Sequence, residues 1–430
     1  MQINEIKGKV LIKNGTILDP FNDKEYKSDI LFENGKISEM GEKIAEKGVE
    51  QVLDARNMYI APGLVDIHVH FREPGNEIAE TLESGAKAAL SGGFTKVCTM
   101  PNTTPPVDNE AEVLSVYRKT AHLPTDVYPI AAVTKGREGK VLTEMATLKK
   151  AGAVGFSDDG TPITNGQILR NAFEYSLITG NAIINHAEDP ALRADGIMNE
   201  GVVSTQTGLT GNPALAEETM IYRDIEIAKY TGGRLHVPHV STARSVELIR
   251  QAKKEGVNVT AEATPHHISL TDEYMKKFDA NGKVAPPLRT EADRLALIEG
   301  LKDGTIDAIA TDHAPHVIDK KETTLDLAAF GMIGLESAFG LVMTQLYHGA
   351  KMPLLDIVKA LTINPAKIMN LDLPEFKVGE KANVTVFSAD EWWVFNRKNV
   401  ESRSSNSPFF GTELTGKAKL VVKDSFLINC

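Results

Sequence analysis

The stretch "GLVDIHVHFREPG", residues 63–75, decides how this chain is read. Its first half has the Val, Ile and Leu content of a buried strand. Its second half carries His68, His70, Arg72 and Glu73. An imidazole or a cation in a buried strand needs a partner. His68 and His70 are two apart, so on a strand they project to the same face. Whatever they face must be supplied by the rest of the chain.

Outward from this stretch, short β-rich runs alternate with helical ones. The strand-like runs are "GLVDIHVH", "FTKVCTM", "DVYPIAAVT", "AVGFSDDG", "AIINHAED", "RLHVPHVS", "NVTAEATPHH" and "IDAIATDHAPH". Between them, apolar residues recur at three and four over 77–91, 164–179, 214–231, 242–255 and 291–302. Eight βα units predict an α/β fold, a (β/α)8 TIM barrel closed by parallel strands. An open doubly wound sheet is the rival. No Gly-rich phosphate loop follows any strand, which argues against its dinucleotide-binding form. The two ends of the chain look alike, with "KVLIKNG" and "KSDILFENGK" at one end and "ANVTVFS" and "KLVVKDSFLI" at the other. They predict a small β domain built from 1–62 plus 376–430, flanking a catalytic barrel over 63–375. The polar segment "VESRSSNSPFFG", beginning at Val400, is expected to pack on the barrel. The polar run 317–329 is expected to be a surface connection near the mouth.

Composition narrows the function. A chain of 430 residues can bury a large core. Its net charge is −11 and it has no Lys/Arg block, which argues against a nucleic-acid partner. An anionic ligand would have to be drawn by a local positive site. Of the two cysteines, Cys98 lies in an apolar run and Cys430 is the last residue, so neither a disulfide framework nor a Cys-based zinc site is expected. No run nears 18 apolar residues and the start lacks an apolar signal region. The expectation is a cytoplasmic protein with no membrane partner.

Nine of the eleven histidines fall in or just after these strand runs; His122 and His348 do not. A barrel keeps its chemistry at the C-terminal strand ends, on side chains from several strands. There the chain places His68 and His70 on strand one, Asp158 and Asp159 after strand four, and His186 on five. His239 follows on six and Asp312 on eight. Imidazoles and carboxylates converging on one mouth suit a divalent transition metal, usually zinc, and a shared carboxylate would allow two ions. A single His at a strand end is usually a hydrogen-bonded core residue; the set carries the metal reading. His236, three before His239, points elsewhere and reads as structural. His266, His267 and His313 stay open. Asp66 lies deeper and reads as orienting a ligand or a main-chain turn.

With these residues in place, the chain resembles the dihydroorotases of the amidohydrolase superfamily over nearly its whole length. "DIHVHFREPG", "GGFTKVCTMPNTTPP", "FSDDG", "NHAED", "HVST" and "ATDHAPH" resemble that family's blocks in order, and "FGMIGLE" and "LTINPAKIMNL" resemble segments beyond the last strand. The resemblance implies that His68, His70, Asp159, His186, His239 and Asp312 are metal ligands for one or two zinc ions. Asp159 rather than Asp158 is implied by its distance from His186. Many amidohydrolases have a carbamylated lysine here; this chain resembles the branch with an aspartate. Arg72, Asn102 and His316 fall on the group that holds a substrate carboxylate, with His70 beside them. Phe330 and Gly331 fall where backbone meets a pyrimidine ring. One departure stands out: "KVAPPLR" has Ala285 where the family often has an Asn that touches substrate.

The implied activity is the reversible cyclisation of N-carbamoyl-L-aspartate to L-dihydroorotate in de novo pyrimidine synthesis. A metal-activated water would be the nucleophile and Asp312 the general acid/base. Two other readings are weighed. One is a different cyclic amide hydrolase, such as a hydantoinase or allantoinase. The other is a homologue bound to aspartate transcarbamoylase, either dependent on it or serving as its scaffold. A homodimer is the default for the family.

Overall fold

A computed structural model describes residues 1–430. All eight expected strands form, in order: β1 Leu64–Val69, β2 Phe94–Thr99, β3 Asp126–Pro129, β4 Phe156–Ser157, β5 Ile183–Ile184, β6 Leu235–Val237, β7 Val259–Ala263 and β8 Ala308–Ile309. Within β1–β3 and within β4–β8 every neighbouring pair is parallel. Two parallel bridges, Ala131 with Phe156 and Val69 with His313, join these arcs into a closed barrel. Closure rules out the open doubly wound sheet.

A helix follows each strand. The five read from apolar spacing are Leu82–Ser91, Gly166–Thr179, Leu215–Thr231, Ala243–Lys254 and Glu291–Lys302. The first starts at Leu82 rather than at residue 77, for a local reason. Thr81 caps it in a reciprocal box with Ser84, and the carboxylate of Glu73 accepts from Leu82 N–H at 2.9 Å. Sixty buried residues, among them Val69, Phe94, Phe173, Val237 and Leu335, form the core between strands and helices.

A second sheet of nine strands draws on both ends of the chain. It runs from Gln2–Glu5 through Phe426–Asn429, Glu413–Lys423 and Asn383–Val394 to Tyr59–Pro62, Val10–Asp19, Lys24–Glu33 and Lys36–Gly41, with Gln51–Asp54 beside Val10–Asp19. Its alternating apolar face buries a core of its own around Ile12, Ile30, Val384 and Val422. The segment after Val400 leaves this sheet and lies on the barrel, where Ser404 Oγ donates to Ala79 O at 2.7 Å. The run 317–329 is a packed connection: Lys283 donates to its Leu325 and Asp326 carbonyls. No helix is long and apolar enough to cross a membrane.

Candidate active site

Ten of the eleven residues singled out for binding or catalysis line one cavity at the C-terminal ends of the strands: His70, Arg72, Asn102, Asp159, His186, His239, Asp312, His316, Phe330 and Gly331. The eleventh, His68, is sealed beneath them. The strands do the positioning. His68 sits in β1 and His70 just beyond it. Asp159 follows β4 by two residues, as do His186 after β5 and His239 after β6. His239 and Asp312 hold positive φ angles of 34° and 50°. Left-handed backbone is uncommon outside glycine and persists where the surroundings over-determine it, often at functional sites.

Asp159 is the hub. Its Oδ2 lies 3.6 Å from His68 Nε2 and 3.5 Å from His70 Nε2. Its Oδ1 lies 3.7 Å from His186 Nδ1 and 3.6 Å from His239 Nε2. Asp312 Oδ1 stands 2.9 Å from His70 Nε2 and 3.6 Å from His68 Nε2. Two groups therefore share Asp159: His68, His70 and Asp159, and Asp159, His186 and His239.

These residues fit a metal. A tetrahedral zinc with bonds of 2.0–2.1 Å keeps neighbouring donor atoms about 3.4 Å apart, close to the separations around Asp159. His68 Nε2 and Asp159 Oδ1 are buried at the centre with no hydrogen-bond partner, a costly arrangement unless something else satisfies them. Burial opposes charge on both groups. Even so, Glu262 and Asp159 raise His68 well above the usual imidazole range, while His68 and its neighbours hold Asp159 well below the usual carboxylate range.

Outer partners orient the imidazoles. His68 Nδ1 lies 2.6 Å from Glu262 Oε1, and His70 Nδ1 lies 2.8 Å from Asn102 Oδ1. Such contacts fix the tautomer and leave the other nitrogen for a metal. Asn102 thus touches His70 as well as lining the cavity. Asp66 accepts from the backbone N–H groups of His68 and Thr311, the orienting part read for it. Asp158 turns away and accepts from Thr134. His236 bonds Thr260 and Glu262, and His313 bonds Glu80, so both are structural. His267 bonds Thr264 and Pro286. His266 is buried, and burial pushes its pKa down to about 4.

Arg72 rims the cavity. It donates from Nε to Pro315 O at 3.1 Å, and its Nη2 lies 3.3 Å from His316 Nε2. Glu73, its sequence neighbour, pairs instead with Lys119 at 2.8 Å. No carboxylate of the protein pairs with Arg72, and burial lowers its pKa to about 10, so it stays charged near neutrality. His316 Nε2 donates to Phe330 O at 2.8 Å; burial, then the charge of Arg72, hold it neutral with a pKa of about 3. Gly331, at φ 119°, brings its backbone so close to Ala314 that a Cβ would stand 2.6 Å from the Ala314 Cβ. Its N–H donates to Lys283 O at 2.9 Å.

Glu262, Glu188 and Arg193 were not legible as site residues in the sequence. Glu188 lies 3.5 Å from His186 Nε2, and the Arg193 guanidinium sits 4.5 Å over the Phe330 ring. "NHAED" contains Glu188, but nothing local showed that it backs a histidine.

Among solved structures, the L-hydantoinase (dihydropyrimidinase) from Arthrobacter aurescens matches with a TM-score of 0.87 at 25% identity, covering 98% of this chain and 96% of that one. A D-hydantoinase matches with a TM-score of 0.83 at 22% identity, a likeness of fold alone. Barrel, terminal sheet and imidazole–carboxylate mouth together define a metal-dependent cyclic amide hydrolase of the amidohydrolase type. A family model described as "Dihydro-orotase-like" matches residues 57–245. The dihydroorotases of Syntrophus aciditrophicus and Pelotomaculum thermopropionicum are 45% and 47% identical over 411 and 408 residues, covering 95% of this chain and 96% and 95% of theirs. The chain belongs to the dihydroorotase family.

Proposed function

We propose that this chain interconverts N-carbamoyl-L-aspartate and L-dihydroorotate in cytoplasmic de novo pyrimidine synthesis, with zinc held by His68, His70, Asp159, His186, His239 and Asp312. Asp159 belongs to both donor groups, so it would help to hold either one ion or two. When bound, zinc supplies Lewis acidity, acidifying a water and polarising an amide carbonyl. The residues of the chain do the rest. Asp312 is held ionised: burial raises its pKa, but the hydrogen bond from His70 and the nearby imidazoles outweigh that. In ring opening it takes a proton from the attacking water and gives it to the departing ring nitrogen. In ring closure it removes the proton from the carbamoyl nitrogen and returns it to the leaving oxygen.

One observation favours this substrate over a hydantoin or allantoin: the unpaired Arg72 cation in the cavity of the metal cluster. A planar guanidinium suits bidentate pairing with a carboxylate that does not react. Asn102 and His316 complete the clamp, the His316 Nε2–H turning from Phe330 O to the carboxylate. Hydantoin has no such carboxylate. The scaffold reading is disfavoured because all six ligand positions converge on one mouth. The test is substrate profiling of the zinc-loaded protein. Dihydroorotate turnover with little hydantoin turnover is expected; hydantoin turnover alone would overturn the assignment.

A further inference from the structure

The segment that leaves the terminal sheet after Val400 reaches the cavity wall and is anchored at several points. Glu336 Oε1 accepts from the N–H groups of Glu401 and Ser402 at 3.2 and 3.0 Å. Glu80, fully buried, accepts from Ser402 Oγ and from Arg403 N–H at 3.2 Å. These bonds fix where Asn406 stands. Asn406 is itself 5% exposed, and both ends of its side-chain amide are bonded. Its Oδ1 accepts from His316 N–H at 3.0 Å. Its Nδ2 donates to Ala314 O at 3.0 Å and Gly331 O at 3.2 Å. Its own carbonyl accepts from Ile333 N–H at 2.9 Å.

One side chain therefore joins the two backbone strips that form the substrate side of the cavity. The first, Ala314–His316, carries the clamp histidine and the Pro315 carbonyl that holds Arg72. The second runs through Phe330 and Gly331. A side-chain amide suits this bridge because it offers an acceptor and a two-proton donor in one plane. Ser or Ala could not span both strips.

We propose that Asn406 is a positioning residue for substrate binding, through which the terminal sheet sets the spacing between the carboxylate clamp and the ring-facing strip. It does not touch the metal ligands, so its loss should fall on substrate affinity. The proposal rests on the functional reading above for the identity of the substrate, but not for the geometry.

The experiment compares wild type with Asn406→Ala and the isosteric Asn406→Asp, which keeps the acceptor and loses the donor. Steady-state kinetics, bound zinc, melting temperature and hydrogen exchange over 314–333 would be measured. The expected result is a KM raised about tenfold or more with kcat within about threefold, because binding rather than chemistry is lost. Zinc content should be unchanged, and exchange at the His316 and Gly331 strips faster. An unchanged KM in a folded variant would overturn the proposal, and so would a fall in kcat alone. If wild type opens hydantoin and not dihydroorotate, the substrate assignment falls. The same KM comparison, made with hydantoin, then decides the role of Asn406.

Discussion

His68 Nδ1 stands 2.6 Å from Glu262 Oε1, with both side chains sealed from solvent. The two are 194 residues apart in sequence, so only barrel closure brings them together. Burial raises the Glu262 pKa, but His68 and His236 outweigh it and hold the carboxylate down at about 2. It is therefore an ionised acceptor that fixes the His68 tautomer and leaves Nε2 facing Asp159. Glu262→Gln should weaken metal affinity by about 10–100-fold. Zinc retained against a graded chelator series measures this directly, and unchanged retention would remove the orienting role.

Asp312 is the proposed proton carrier. Asn adopts positive φ more readily than most residues, so Asp312→Asn keeps the backbone at 50° while removing the base. A fall in kcat of about 10²–10⁴-fold is expected, with a melting temperature near that of wild type. Near-normal turnover would refute the assignment.

Arg72 gives a pH-dependent prediction. Its charged form binds the carboxylate and exists below its pKa, lowered by burial to about 10. KM for dihydroorotate should be flat from neutrality to about pH 9 and rise above about pH 10 as the proton is lost. Arg72→Ala should raise KM by about 10–150-fold, the worth of a hydrogen bond to a charged group, and change kcat less. A large loss of kcat with KM unchanged would place Arg72 in the chemistry instead.

Ala285, the one departure from the family resemblance, lines the cavity as a methyl group. Ala285→Asn should lower KM about 2–12-fold, one added hydrogen bond. A higher KM would show that the cavity has closed over the missing side chain.

Much of this was readable before any coordinates, for a physical reason. A barrel puts its chemistry at strand ends, so each candidate ligand is marked by a strand run next to it in sequence. His68 and His70 mark themselves by their two-residue spacing. The unreadable parts are contacts between distant segments. Glu262 looks like any acid in "TAEAT" until β7 closes beside β1. Asn406 looks like a loop residue until its segment lands on the barrel. The start of the first helix at Leu82 was missed because Glu73 and Thr81, rather than apolar spacing, decide where it begins.

The most direct test of the whole account is ring opening of L-dihydroorotate by the purified chain alone, loaded with zinc and followed by loss of ultraviolet absorbance. The account predicts turnover that disappears in Asp312→Asn and on chelation, and returns with zinc. No turnover by folded, zinc-loaded protein would contradict it and shift the weight to a chain that acts only with a transcarbamoylase partner.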